Sequence, residues 1–226
     1  MNRYIKDYIK VYDDTLDSNF CKQLIAEFEQ DWPSQLSTGG ESPSYEIGDF
    51  KNYKKFTEIN FSKSRHWGKK YETLLKDKIL EYTKLYFEDL NYPDYLKVNR
   101  FSYEEFRLKR YIENTNDRID VHTDATGLGL NKRWLSLFWY LNDVEGGGET
   151  RLTDINYYVK PKTGRLLIFP PMWMFPHAGL PVSSGTKYIL HTYLHYSTTN
   201  VHDFNALVDA NPNKSGAVRE KNINKQ

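Results

Sequence analysis

The stretch IDVHTDATG, residues 119–127, places a histidine and an aspartate two positions apart, His122 and Asp124. On an extended strand such residues face the same side, about 6.6 Å apart along the backbone, so both can reach one metal ion. An iron site of the facial type takes two imidazoles and one carboxylate and leaves the adjacent positions open. Chance supplies roughly 0.4 His-x-Asp pairs in a chain of this composition, so the pair needs a third ligand before it carries meaning.

Three histidines lie downstream: His177, His191 and His195. His191 and His195 are four apart, about 13 Å on a strand, too far to share an ion without a bend. KYILHTYLHY alternates and is rich in β-formers, so these two read as ordinary sheet histidines. His177 follows the apolar run GRLLIFPPMWMFP and its proline-rich turn, a place from which a buried strand can present a ligand. Ten residues on stands Lys187. An ammonium on an otherwise apolar strand must pair or snorkel, so it either points to solvent from an edge or meets an anionic small molecule beside the metal.

The elements that must position these groups follow from periodicity. IKVYDD (9–14) reads as a short strand. Asp17 or Ser18 caps the helix NFCKQLIAEFEQ, whose Phe20, Leu24, Ile25 and Phe28 share a face. Residues 33–56 are rich in Pro, Ser and Gly and form a long loop, either a lid or a surface excursion. A second helix covers 64–88, with Trp67, Tyr71, Leu74, Leu75, Ile79, Tyr82 and Leu85 as its stripe. After NYPD, aromatic and β-branched runs separated by turn signals take over. Helices first and strands afterwards indicate an α+β fold with a mainly β core. The chain divides into an N-terminal strand and bracing helices (1–95), a β core (96–200) and a polar tail expected to fray (201–226), all within one structural domain.

Composition narrows the function. The 226 residues carry 31 basic and 30 acidic side chains, so no basic field argues for nucleic acid. The single cysteine, Cys21, excludes an intrachain disulfide framework and suits a reducing compartment. The N-terminus has no apolar run with a cleavage site, and nowhere do 18 apolar residues run together. A cytoplasmic protein without a membrane span is expected; the oligomeric state is open.

Four pieces in order, HTD (122–124), WYLNDVEGGGETRL (139–152), VKPKTGRLLIFPP (159–171) and HAGLPVSSGTKYIL (177–190), resemble the Fe(II)- and 2-oxoglutarate-dependent dioxygenases, specifically the prolyl 4-hydroxylase-like branch. The resemblance covers about residues 98–196. It implies a double-stranded β-helix, or jelly roll, with bracing helices. It implies His122, Asp124 and His177 as iron ligands and Lys187 on the far carboxylate of 2-oxoglutarate, with a hydrogen bond from Thr150. Tyr111 resembles a tyrosine that touches the same carboxylate, with Tyr140 as the alternative. Arg133 matches a peptide-contacting position, and Phe175 falls where an aromatic lines the substrate pocket. Fe(II), 2-oxoglutarate and O2 would be needed, with ascorbate as a candidate reductant.

The substrate implied is a protein or peptide side chain, with proline the leading candidate. One departure bears on this: the branch commonly has a tyrosine three residues before the first ligand histidine, and here Ile119 stands. The alternatives are the same chemistry on a free amino acid, small metabolite or nucleobase, or a non-catalytic cupin- or lectin-like module holding Zn2+ or nothing. Asp124 argues against a halogenase, which replaces the carboxylate with a small residue. The binding module predicts no role for Lys187.

Overall fold

The computed structural model describes residues 3–37, 54–98, 101–127 and 130–196, with 33–37 and 54–55 as backbone only. A short strand, β1 (Lys10–Tyr12), precedes the first helix, α1 (Ser18–Ser37). Asp17 is the cap: its Oδ1 accepts the backbone N–H groups of Asn19 (2.8 Å) and Phe20 (3.2 Å). The helix runs on to Ser37, through Pro33, where the sequence suggested a loop. Proline removes one ladder bond. The turns before it are anchored by Phe28, which is fully buried, and by Trp32, whose ring lies 4.5 Å under the Arg110 guanidinium. Of the loop expected at 33–56, residues 38–53 lie outside the described residues, as does the tail 201–226.

The second helix, α2 (Lys69–Asp89), starts later than its stripe suggested. Ser64 bonds Asp31 through its hydroxyl and accepts the His66 N–H at 3.0 Å, and that local turn competes with helix. Trp67 therefore precedes the helix but still packs, stacked on Tyr71 with ring centroids 6.5 Å apart. Tyr71, Leu75, Ile79 and Tyr82 are buried as expected, joined by Tyr86 and Phe87, while Leu74 and Leu85 are half-buried.

The remaining strands are β2 (Lys54–Lys55), β3 (Thr57–Asn60), β4 (Phe101–Tyr103), β5 (Arg107–Ile112), β6 (Arg118–His122), β7 (Arg133–Tyr140), β8 (Gly146–Gly147), β9 (Thr150–Leu152), β10 (Tyr157–Val159), β11 (Arg165–Phe169), β12 (His177–Gly179), β13 (Val182–Ser184) and β14 (Thr186–Tyr196). A seven-stranded antiparallel sheet runs β1-β11-β7-β14-β5-β3, with β4 pairing the far end of β14. A five-stranded sheet runs β10-β9-β12-β6-β2, and β13 pairs β8. The N-terminal segment supplies three edge strands, β1, β2 and β3, so the first 95 residues are woven into both sheets rather than only bracing them.

Alternation divides the large sheet into two faces. Leu135, Leu137 and Trp139 of β7, Leu166 and Ile168 of β11, and Leu190 and Leu194 of β14 pack outward on the helices. Phe138 and Tyr140, Leu167 and Phe169, and Ile189 from the same strands face the smaller sheet. Two packed antiparallel sheets with helices on one outer face make the double-stranded β-helix the sequence implied. Among the described residues no helix is long and apolar enough to cross a membrane.

Candidate active site

Pairing in the small sheet brings the first two candidate ligands together: His177 and His122 are register partners across β12 and β6, with ring centroids 4.3 Å apart. Asp124 lies just past the end of β6. Its N–H and that of Ala125 donate to the Pro171 carbonyl (3.0 and 3.1 Å), and its own carbonyl accepts from Arg133 Nη1 (2.9 Å). The backbone is thus held on both sides. One ligand atom from each of His122, Asp124 and His177 lies within 4.8 Å of the others, the only such cluster among the described residues.

The tautomers fit a metal. Nδ1 of His122 lies 2.8 Å from the Asp120 carbonyl, and Nδ1 of His177 lies 3.1 Å from that of Phe175. A carbonyl only accepts, so each Nδ1 carries the proton and each Nε2 presents its lone pair. His122 Nε2 is 3.1 Å from Asp124 Oδ1, and His177 Nε2 is 3.2 Å from Oδ2. Yet His177 Nε2 and Asp124 Oδ2 are buried with no partner in hydrogen-bond geometry. Burial opposes charge on Asp124, but positive charge at the two imidazoles, or at a metal between them, outweighs it and keeps its carboxyl well below the usual range. Two lone pairs and a carboxylate converging on one point, with buried atoms left unsatisfied, suit a divalent ion.

The cavity beside this cluster is walled by Lys187, Thr150, Tyr111, Ile119, His191 and Tyr193, among others. Lys187 is fully buried. Its Nζ donates to the Gly148 carbonyl (2.9 Å) and stands 4.1 Å over the Tyr111 ring, and no carboxylate among the described residues forms an ion pair with it. Burial pulls its ammonium down to about 7, Glu149 opposing and Lys109 assisting. Gly148 adopts φ +73°, and a Cβ there would press on Val182 Cγ2 at 3.2 Å and Lys187 Cδ at 3.4 Å, so glycine both permits the turn and clears the lysine stem.

The two candidate tyrosines take different places. Tyr111 is the register partner of Lys187 across β5 and β14 and lines the cavity. Tyr140 is buried behind Thr150, donating to its Oγ1 at 2.7 Å. That bond occupies a lone pair of Thr150 and leaves its hydroxyl hydrogen free to donate into the cavity.

Arg133 is held in a bidentate pair by Glu104 (Nε–Oε1 2.5 Å, Nη2–Oε2 2.7 Å) and lies 3.8 Å over the Tyr193 ring; Glu104 also bonds His195. The Phe175 ring packs in the inner core, and its contribution to the cluster is the carbonyl that orients His177. His191, read from the sequence as an ordinary sheet histidine, lines the same cavity. It shares a face of β14 with Lys187, Ile189 and Tyr193, and the period-two rule starting from Lys187 would have found it.

Residues 106–195 match the family described as the 2OG-Fe(II) oxygenase superfamily. That match covers less than half of the chain. A putative prolyl 4-hydroxylase of Acanthamoeba polyphaga mimivirus is 37% identical over 102 residues, covering 38% of this chain and 42% of that protein. Procollagen-lysine,2-oxoglutarate 5-dioxygenase 1 of Gallus gallus is 28% identical over 179 residues, 77% of this chain but 22% of that protein. The chain thus spans less than half the length of either relative. Among solved structures, the viral collagen prolyl hydroxylase of Paramecium Bursaria Chlorella virus-1, in its 2OG complex, superposes with a TM-score of 0.57 at 22% identity, covering 84% of this chain and 97% of that one. That likeness shows a shared fold. Read with the match over 106–195, the triad fits Fe(II) and 2-oxoglutarate, with the buried lysine beside it in the same cavity.

Proposed function

We propose that the chain is an Fe(II)- and 2-oxoglutarate-dependent hydroxylase acting on a protein or peptide side chain. One observation carries this reading: a carboxylate–imidazole triad with unsatisfied buried ligand atoms opens onto the same cavity as a buried lysine with no counter-ion among the described residues. His122, Asp124 and His177 hold the metal. Lys187 neutralises the far carboxylate of the 2-oxo acid, where an unpaired charge would be costly, and Thr150 and Tyr111 add hydroxyls. Bound there, Fe(II) and 2-oxoglutarate supply the oxidising power, the 2-oxo acid losing CO2 to become succinate while O2 provides the hydroxyl that replaces a C–H hydrogen. The apolar inner core around the cavity keeps bulk water from the reacting centre.

Proline is the leading target, because the mimiviral relative and the viral structure both bear prolyl hydroxylase names. Lysine is the second reading, favoured by the longer match to the chicken enzyme. Ile119 lines the cavity in place of the branch's usual tyrosine, with its Cγ2 only 2.7 Å from where a Cβ on Gly179 would stand, so the wall there is apolar and closely packed.

The test is an anaerobic titration. Chelator-stripped protein given Fe(II) and then 2-oxoglutarate should develop the visible charge-transfer band of a chelated 2-oxo acid, and Asp124→Ala should lose it together with all succinate release. A panel of proline- and lysine-containing collagen-like peptides, read by mass spectrometry for a gain of one oxygen, then separates the two substrates. A folded protein that binds Zn2+ but gives no band would instead be a binding module.

A further inference from the structure

Charge is unevenly distributed on the cavity wall. Among the described residues that form it, Lys109 and Lys187 are cationic, and Asp124, which belongs to the metal triad, is the one carboxylate. Glu149, whose charge reaches Lys187, lies outside that wall, on a separate surface groove. With the far carboxylate of the 2-oxo acid on Lys187, Lys109 is the charge left facing whatever enters.

On β5, Lys109 shares a face with Tyr111 and is the register partner of Ile189, which stands between Lys187 and His191 on β14. Its Nζ lies 4.8 Å over the Phe56 ring and 3.4 Å from Oε2 of Glu58, its partner on β3. That carboxylate does not cancel it. Glu58 also meets Arg107 (3.9 Å), Arg107 meets Glu105 (3.6 Å), and Glu105 meets Lys63 (3.5 Å). Three cations thus alternate with two carboxylates, and the row ends at the cavity in Lys109. Its field is felt inside: burial, with Lys109 assisting, pulls both Lys187 and His191 down.

A lysine side chain suits this wall poorly. Wherever along its stem it is hydroxylated, its ammonium lies a few bonds from the reacting carbon, so the charge must enter the cavity. An ammonium taken out of water needs a carboxylate partner, and a like charge beside it raises the cost. Asp124 is committed to the triad, and Glu58 is held by Lys109. Proline brings no charge and finds an apolar wall in Ile119, Phe138 and Ile189.

We propose that Lys109 is a specificity-determining residue: its ammonium admits an uncharged side chain such as that of proline and rejects the cation of lysine. The assignment rests on the hydroxylase reading above and decides between its two targets. It also makes Glu58 a latent acceptor, since removing Lys109 frees the carboxylate that an incoming ammonium lacks.

The experiment measures binding rather than turnover. Protein loaded with Mn(II) and 2-oxoglutarate is titrated calorimetrically with one collagen-like host peptide carrying proline, lysine or norleucine at its centre. Norleucine has lysine's stem without its charge. Wild type should bind the norleucine peptide at least about tenfold more tightly than the lysine peptide. Lys109→Met should bring the two within about threefold or reverse their order, and Lys109→Met/Glu58→Gln should lose most of lysine's gain. Lys109→Gln replaces the Met variant if that one does not fold. Three results overturn the assignment: a wild type that binds lysine as tightly as norleucine; a preference that survives removal of Lys109, which makes it the cost of desolvating any ammonium; or a double variant as tolerant of lysine as the single one, which makes it a matter of space. Absence of the charge-transfer band with Fe(II) defeats the hydroxylase reading and this assignment with it. A band with none of the three peptides bound defeats the peptide reading and the filter together. A band beside free acceptance of lysine defeats the filter alone.

Discussion

Strand β14 has two faces that obey different rules. On the helix side Tyr188, Leu190 and Leu194 join a continuous apolar cluster with Phe28, Leu75, Ile79 and Trp139. The strand's own phenol there is matched, the Tyr188 hydroxyl meeting Glu29 at 2.6 Å beside Arg110 Nη1 at 2.7 Å from the same carboxylate, although Trp139 Nε1 and Arg110 Nε lack a hydrogen-bond partner. On the cavity side, one residue out of phase, Lys187 and His191 are buried without counter-ion or hydrogen-bond partner respectively among the described residues. A single strand thus carries stability on one face and stored, unmet polarity on the other. The difference teaches that the cavity face is finished by something other than protein, because a chain selected for stability alone would fill it with apolar side chains.

Lys187→Met tests that difference most severely. Removing a buried ammonium that faces a ligand carboxylate should weaken 2-oxoglutarate binding roughly 10²–10³-fold, the ~3–4 kcal/mol lost when one partner of a buried charge pair is removed. The free protein should unfold at an equal or higher temperature, since the lysine has no counter-ion among the described residues to lose. Calorimetric titration together with thermal unfolding gives both numbers. A stability loss without an affinity loss would make the two faces alike.

Leu190→Ala is the mirror image. Leu190 is fully buried on the helix face, and its truncation should cost about 2–5 kcal/mol in denaturant unfolding. 2-Oxoglutarate affinity should change less than threefold in the protein that remains folded. A large affinity change would mean that the sheet transmits packing on one side to geometry on the other.

These contrasts also mark how much could be read from the sequence. The triad, Lys187 and the order of helices then strands were legible, because ligand chemistry and period-two alternation are local. The end of α1 was not: Pro33 is a local stop signal, overridden by the anchoring of Phe28 and Trp32 against the sheet. Nor was the start of α2, where Ser64 is held by Asp31 from another helix, 33 residues away. The choice between Tyr111 and Tyr140 hinged on register, which places Tyr111 opposite Lys187 and Tyr140 behind Thr150. The place of His191 on the cavity wall was not legible either. Counting the distance from His195 hid what counting in twos from Lys187 would have revealed.

Acidity should separate the faces more gently. Burial sets the free Lys187 ammonium near pH 7, against an ordinary value of 10.5. Between those values the folded free protein holds fewer protons than the unfolded chain, so this group's contribution to stability rises with pH across that window. Below 7 its penalty is constant. A bound carboxylate stabilises the ammonium, so binding takes up a proton above pH 7, and affinity for 2-oxoglutarate should fall as pH rises, with a limiting slope of about tenfold per pH unit. Calorimetry from pH 6 to 9, with Mn(II) in place of Fe(II), should show a plateau below 7 and a decline above it. Lys187→Met should abolish the decline, and a decline that survives it would assign the titration elsewhere.

The smallest effect distinguishes the two tyrosines. Tyr111→Phe keeps the ring beneath Lys187 and removes only a hydroxyl on the cavity wall, so it should weaken 2-oxoglutarate about three- to tenfold and leave unfolding nearly unchanged. Tyr140→Phe removes the donor to Thr150 Oγ1 in a fully buried setting and should cost about 1 kcal/mol of stability. Its effect on affinity should be smaller, because Thr150 keeps its own hydroxyl hydrogen for the cavity and loses only what fixed its rotamer. If Tyr140→Phe weakened the cosubstrate more than Tyr111→Phe, the Thr150 hydroxyl would depend on its neighbour for orientation. The boundary between supporting core and ligand-facing wall would then run one residue deeper than the cavity lining indicates.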